Sequence, residues 1–310
     1  ALILALLAAL VGPLVLDWNQ YRPAFEAEAS RILGVPVRVR GELDARLLPT
    51  PSLRLRNVTL GGKGEALAAS VKQLDVEFAL GSLMRGEWRA TELIMRDATL
   101  DVTVNEDGKI GVGGKANAGN PARQDAVKTD PASNLAQLSV DRLAANGRIA
   151  LHDARSGRSL VLKQFNFSGD VRALAGSLRG DGEIVAGDST YPYRLSLARA
   201  SEGLRVRFNL LPGSDGFNAD ADGVITLVDA MPRFEGALSW SRALALKRDA
   251  AGLLETPWRI SAKVKADPRM MRFEDVDLRY GADDAALVLN GLGEMRFDDE
   301  PRLHAVLSAR

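Results

Sequence analysis

Three stretches of the sequence bring chemically capable side chains close together. Asn218-Ala219-Asp220-Ala221-Asp222-Gly223 sets oxygen donors at alternate positions before a glycine, as calcium loops do. Asp229 stands where the bidentate carboxylate of such a loop belongs, so Asp220, Asp222 and Asp229 are the metal candidates. Against that reading, the usual first Asp is an Asn and no helical pattern flanks the segment. Val224 to Val228 reads as a strand leaving a turn, and a turn is the preferred reading. His152-Asp153 offers a base beside a carboxylate that could orient it, but no serine is placed to complete a triad. A surface histidine after a strand is expected there. Gly114-Lys115 lacks the upstream glycine and the following Ser or Thr of a phosphate loop. With no nucleophile elbow or zinc-binding helix motif either, the sequence reads as a non-enzyme that uses no cofactor.

Composition removes further classes of chemistry. The absence of cysteine excludes disulfides, cysteine-ligated zinc, iron–sulfur clusters and thiol nucleophiles. The two histidines, His152 and His304, are far apart, which leaves little room for a histidine-rich metal site. Lys and Arg number 40 and balance 40 Asp and Glu, so no basic field is available to attract nucleic acid. At 310 residues and 46% hydrophobic, the chain can form two domains or one large β-architecture with a substantial core.

The elements that would position a site begin with an apolar run. Ala1 to Leu16 carries no charged or polar side chain, and Asp17 ends it. With its start missing, this fits a membrane-spanning helix better than a cleaved signal, and residues 1–16 are expected to be an anchor. Trp18 and Tyr21 then fall where membrane-interface aromatics belong. A short helix follows between Pro23 and Gly34, with Phe25, Ala29, Ile32 and Leu33 at helical spacing. It is expected to cap what comes next.

From Val37 the period switches to two. Val37, Val39, Leu43, Ala45 and Leu47 alternate with charged residues, and Leu53-Arg54-Leu55-Arg56 starts the next strand. Asn57 shifts the phase to Val58 and Leu60, which predicts a bulge or bend. Alternation returns in 74–78, 100–104, 191–197, 204–208, 258–264 and 276–280. Asn105 to Gly108 reads as a hairpin turn. Only Ser82 to Met84 and, loosely, Ser241 to Leu254 look helical again. Gly113 to Asn134 is rich in Gly, Ala, Asn and Lys, with two prolines and no apolar period. The expected organisation is therefore an anchor (1–16), a helix with strands (17–112), a linker (113–134) and a continuing sheet (135–310). Because the sequence opens inside an apolar run and closes inside a strand pattern, a piece of a longer chain is expected.

Each strand is apolar on one face, and the helices are too few to cover those faces. The apolar side must meet another sheet, the interior of a closed barrel, or a non-protein apolar partner. Val37, Val39, Leu43, Leu47, Leu53, Leu55, Leu74, Val76 and Phe78 are the positions expected to line it. Alternation shows which residues share a face and is silent on what covers them.

Several motifs carry a family resemblance. Asp17-Trp18-Asn19 with Tyr21-Arg22-Pro23 resembles the start of an AsmA family protein. So does Leu33-Gly34-Val35-Pro36-Val37 running through Gly41-Glu42-Leu43 to Arg46-Leu47-Leu48-Pro49-Thr50-Pro51. Leu53-Arg54-Leu55, Asn57-Val58-Thr59-Leu60-Gly61, Ser82 to Glu87, Asn105 to Gly108 and Asn146-Gly147-Arg148-Ile149 continue the pattern. The resemblance implies an inner-membrane-anchored protein of Gram-negative bacteria facing the periplasm, associated with outer-membrane biogenesis and with protein targeting to membranes. It also implies kinship with bridge-like lipid transfer proteins. The expected fold is then mostly β, a long twisted antiparallel sheet folded into an open groove, with an N-terminal transmembrane helix and a short capping helix. Its expected partners are the inner membrane, phospholipid acyl chains and envelope proteins. The alternative is a structural or assembly factor whose sheet packs on itself and binds envelope proteins.

Overall fold

The computed structural model describes residues 17–33, 35–61, 67–85, 87, 89–105, 139–154, 157–172, 176–186, 189–213, 216–229, 231–242, 256–282, 284–297 and 301–309. The expected anchor (1–16), the linker (113–134) and most of the 105–108 turn and of the loosely helical 241–254 stretch lie outside this set. Among the described residues no helix is long and apolar enough to cross a membrane.

The chain enters through a 3-10 turn, Trp18–Tyr21, capped by the Asp17 carboxylate, which accepts from the Asn19 N–H at 3.0 Å. Helix α1 (Arg22–Leu33) follows with Pro23 in its first turn, where the missing N–H costs nothing. Strands β1 (Val37–Val39) and β2 (Leu43–Arg46) then pair with successive parts of β3 (Ser52–Leu60). An edge strand leaves backbone donors unpaired. Here polar side chains from the helical segment take them up. Val37 N–H donates to Ser30 Oγ at 2.8 Å, Val39 N–H to Glu26 Oε1 at 2.7 Å, and Leu43 N–H to Asn19 Oδ1 at 3.3 Å.

The remaining strands are β4 (Leu67–Phe78), β5 (Arg89–Val104), β6 (Ser139–Asp153), β7 (Arg158–Arg172), β8 (Ser177–Ala186), β9 (Ser189–Ala200), β10 (Gly203–Leu210) and β11 (Phe217–Val228). After them come β12 (Met231–Arg242), β13 (Trp258–Ala266), β14 (Met270–Tyr280), β15 (Leu287–Arg296) and β16 (Arg302–Ala309). A short helix, α2 (Leu80–Met84), links β4 to β5. All 16 described strands belong to one open sheet whose neighbours follow chain order, β2 alone branching from β3. Ser241 and Arg242, expected to begin a helix, instead close β12.

The pairing of β5 with β6 departs from the expected antiparallel arrangement. Contacts between β5 and β6 join Arg89 to Asp141, Asp97 to Asn146 and Thr99 to Arg148, at sequence separations of 52, 49 and 49. A nearly constant separation means that the two strands run parallel, and a parallel pair needs a long crossover between its members.

The phase change expected at Asn57 is present. Asn57 has φ 52° and Asp97 φ 53°, a backbone state that Asn and Asp tolerate better than branched residues. The register brackets both opposite Lys72, whose Nζ lies 3.3 Å from Asp97 Oδ2. One strand over, Asp97 N–H donates to Asn146 Oδ1, and a Cβ on Gly147 would fall 1.9 Å from Ala98 O. Only glycine fits that approach. Because each strand slips phase at this row, Leu55 and Val58 reach one core from positions three apart.

By contacts the chain forms two compact units, Ala1–Thr103, Gly111–Ala150 and Asn166–Leu178 in the first, Val104–Ile110, Leu151–Phe165 and Arg179–Arg310 in the second. Among the described residues, the first unit holds two buried clusters. Val37, Val39, Leu43, Leu55 and Val58 pack with Trp18 and with Phe25, Ala29 and Leu33 of α1. Val76, Ala90, Val140 and Val171 form the other. If the row at Asn57 sets the phase, Asn57→Gly should keep stability within about 1 kcal/mol, since glycine accepts positive φ freely. Asn57→Val should lower it by about 1–3 kcal/mol, the usual cost of such backbone strain. Urea midpoints of the two variants check this, and equal midpoints would refute it.

Candidate functional site

In the second unit every described element is a strand. The registers trace rows across it. One runs Leu197, Val206, Gly223, Gly236, Val264, Phe273, Gly293 and Ala305 from β9 to β16. The row two residues along is Leu195, Phe208, Ala221, Leu238 and Ala262. The next brings Ala219, Trp240, Ile260, Leu278 and Leu289 together. Register shifts between Ser261 and Lys263 and between Phe273 and Val276 let both halves of β14 keep apolar residues on this side. Among the described residues of β9 to β16, the charged side chains on this face are Arg199 and Arg242, which lie at its opposite ends.

Sheet geometry gives this face an extent of roughly 1,000 Å², taking about 4.8 Å per strand and 3.4 Å per residue. Most of its side chains are half-buried, and Ala262 and Val264 are fully so. A cavity of about 590 Å³ opens within this unit. Val104, Leu151 and Leu160 line it together with Ile225, Phe234 and Phe297, while Asp153, Arg158, Arg233 and Asp267 supply its polar share. That volume lies in the range of small-molecule sites, about 300–1,000 Å³.

Phe234 reaches this cavity from a thinned floor. The glycines Gly223 and Gly236 pair across β11 and β12, and a Cβ on Gly223 would meet the Phe234 ring at 2.6 Å. The ring therefore covers the gap that a glycine leaves in a sheet. Above Phe208 the Tyr193 ring stacks at 5.8 Å between centroids, and burial, then the Asp181 charge, pushes the Tyr193 phenol up to about 12. Both effects disfavour phenolate, so Tyr193 stays neutral at physiological pH.

The opposite face is a lattice of charges. Arg205 and Arg207 reach Asp222 at 2.8 and 3.0 Å, and Asp220 accepts from Asn209 and Ser239. Arg272 and Arg296 meet on Glu294, and the Arg296 hydrogen bond leads the effects that hold its carboxyl below the usual range. In the first unit Asp75 sits between Arg54 and Arg96 at 2.6 and 2.5 Å. Burial raises the Asp75 pKa, but hydrogen bonds from Arg54 and Gln73 and the two arginine charges outweigh it and leave it lowered. Exposed pairs of this kind contribute little each, about 0–1 kcal/mol, but opposite charges directly across strands favour one register.

This arrangement corrects the calcium reading. Phe217–Val228 is one continuous strand, neither loop nor turn, and Asp220 and Asp222 spend their oxygens on cross-strand partners. Asp229 lies beyond its end at φ 54°. No cluster of three metal-ligating side chains occurs among the described residues. His152 is exposed near the end of β6.

The apolar positions singled out in the sequence are divided. Val37, Val39, Leu43 and Leu55 lie in the core under α1, with Leu53 and Leu74 packed against it. Val76 is in the second cluster, bordered by Phe78. Leu47 lies outside the strands and is 48% exposed. Trp18 packs into the first core with its ring 6.0 Å from that of Tyr21, which stays exposed. The broad face of β9 to β16 lies outside those positions, although its alternation at 204–208 and 258–264 is legible in the sequence. Gly236→Ala places a Cβ 2.4 Å from Asp222 O and Gly223 Cα. It should lower stability by about 1–3 kcal/mol, as overpacking does, measured by the urea midpoint. An unchanged midpoint would show that this floor is not tightly packed.

The sequence profile of the AsmA family matches residues 1–196. No curated protein and no solved structure matches the chain.

Proposed function

Because the chain belongs to the AsmA family, we propose that it is an inner-membrane-anchored envelope protein whose sheet shields phospholipid acyl chains on its apolar face. Membership supports work in the bacterial envelope and its outer membrane. The observation that carries the finer reading is the apolar face of β9 to β16, unbroken by charge between Arg199 and Arg242. Holding acyl chains needs no catalytic group. It needs continuous apolar surface, which the hydrophobic effect rewards at about 25 cal/mol per Å². A sheet folded into an open groove around such chains would dock at the inner membrane through Ala1–Leu16, with Trp18 and Tyr21 at the interface and the bulk of the chain in the periplasm. Envelope proteins would set the direction of movement, and the effect on protein targeting to membranes would follow from the lipid supply.

The test is to purify the whole chain in mild detergent from a Gram-negative host and quantify co-purifying phospholipid by mass spectrometry. Stoichiometric phospholipid is expected. Phe234→Glu, which replaces an apolar wall of the cavity with a carboxylate, should reduce it by about tenfold or more, because burying an ionised group against hydrocarbon costs more than the 1.4 kcal/mol that a factor of ten represents. A folded chain without lipid, or a folded variant that retains it, would contradict the reading and favour a self-packed sheet that binds envelope proteins.

A further inference from the structure

One end of the apolar face differs from the other. Phe217, Arg242, Trp258 and Tyr280 form a single row across β11 to β14, at the last pairs of their strands. Arg242 stands in register between Phe217 and Trp258, whose ring centroids are 6.3 Å apart at 52°. Tyr191 extends the row by an edge-on contact with Phe217, also at 6.3 Å. Arg242 Nε is fully buried, so the stem of this side chain lies within the face. Tyr280, by contrast, is 51% exposed, so the row also meets solvent. Arg199, at the other end of the face, pairs with Leu204, and both are exposed.

A rim of aromatic rings around a cation is how proteins mark the boundary between hydrocarbon and water. Tyr and Trp combine an apolar body with a polar edge, and Arg extends an apolar stem to a charged tip. The guanidinium fork matches phosphate oxygens in pairs, and a low-dielectric surround strengthens that contact. Resting on the lipid-shielding function above, we propose that Arg242 and its aromatic row receive the phosphodiester headgroup of a phospholipid whose chains lie on the apolar face. The row thereby selects amphiphiles with a phosphate over equally apolar ones without it.

The experiment compares dioleoylphosphatidylglycerol with dioleoylglycerol, which has the same chains and no phosphate. Both are titrated into the whole detergent-solubilised chain, delipidated beforehand, in native mass spectrometry. The unaltered chain should prefer the phosphatidylglycerol by about tenfold. Arg242→Gln should remove that preference, so that the two lipids bind alike, and Arg242→Met, which keeps an apolar stem, serves if the glutamine variant does not fold. Excess inorganic phosphate should leave the lipid in place, because it lacks the chains. Equal binding of the two lipids by the unaltered chain would overturn the headgroup site and leave acyl-chain shielding standing. So would a preference that survives both folded variants, or displacement by phosphate, which would mean that Arg242 holds the free anion. If neither lipid binds, both readings fall, whereas Phe234→Glu should weaken both lipids alike.

Discussion

Side chains in a strand alternate between faces, so a slip of one residue turns a strand's apolar set outward. In this chain each strand carries apolar residues on one side and charges on the other, and everything else depends on keeping those sides in step. The local breaks in regularity serve that end. Asn57 and Asp97 take positive φ where β3 and β5 change phase, and the shift at Phe273/Val276 does the same in β14, where Asp275 has φ 52°. Asp222 between Arg205 and Arg207, and Asp75 between Arg54 and Arg96, tie neighbouring strands together from the polar side. A slip would separate those charges and invert the apolar row at once, so the two faces favour the same register for different physical reasons.

The apolar side is then completed in different ways. In the first unit α1 lies on β1 to β3 and buries Val39 and Leu55 almost wholly, at 3% and 1% exposure. The same helix closes the sheet edge through Glu26 and Ser30. Among the described residues, the second unit has no helix for that task. Its apolar rows stay half-covered, with glycines that thin the floor and a cavity between apolar walls. The apolar surface left uncovered there has a thermodynamic pull toward an apolar partner. Its ends, where Arg199 and Arg242 stand, are where an amphiphile would present its polar part.

Much of this could be read in the sequence because period-two alternation is a local signal. Val37–Val39, Leu43–Arg46, Leu53 to Leu60 and Trp258 to Val264 all lie in strands, and the phase change at Asn57 coincides with its positive φ. The turn expected at Asn218 to Gly223, with a calcium loop as its weaker alternative, is a strand for an instructive reason. Loop ligands at alternate positions and the polar face of a strand share the same spacing, and only the arginines of β10 and the serine of β12 show which is present. The parallel pairing of β5 with β6 was hidden, because parallel and antiparallel neighbours leave the same alternation. Likewise Val37 and Phe208 look equivalent in sequence. One lies under a helix and the other on the open rows, and that difference belongs to tertiary packing.

The central claim, that the apolar rows of the second unit face lipid, predicts a pattern with the period of a strand. Photo-crosslinking residues placed singly along β12 in cells of a Gram-negative host would read it directly. Lipid adducts are expected at the positions of Phe234, Leu238 and Trp240, and none above background at Glu235, Ala237 and Ser239. Adducts spread evenly along the strand, or confined to the odd positions, would contradict the account.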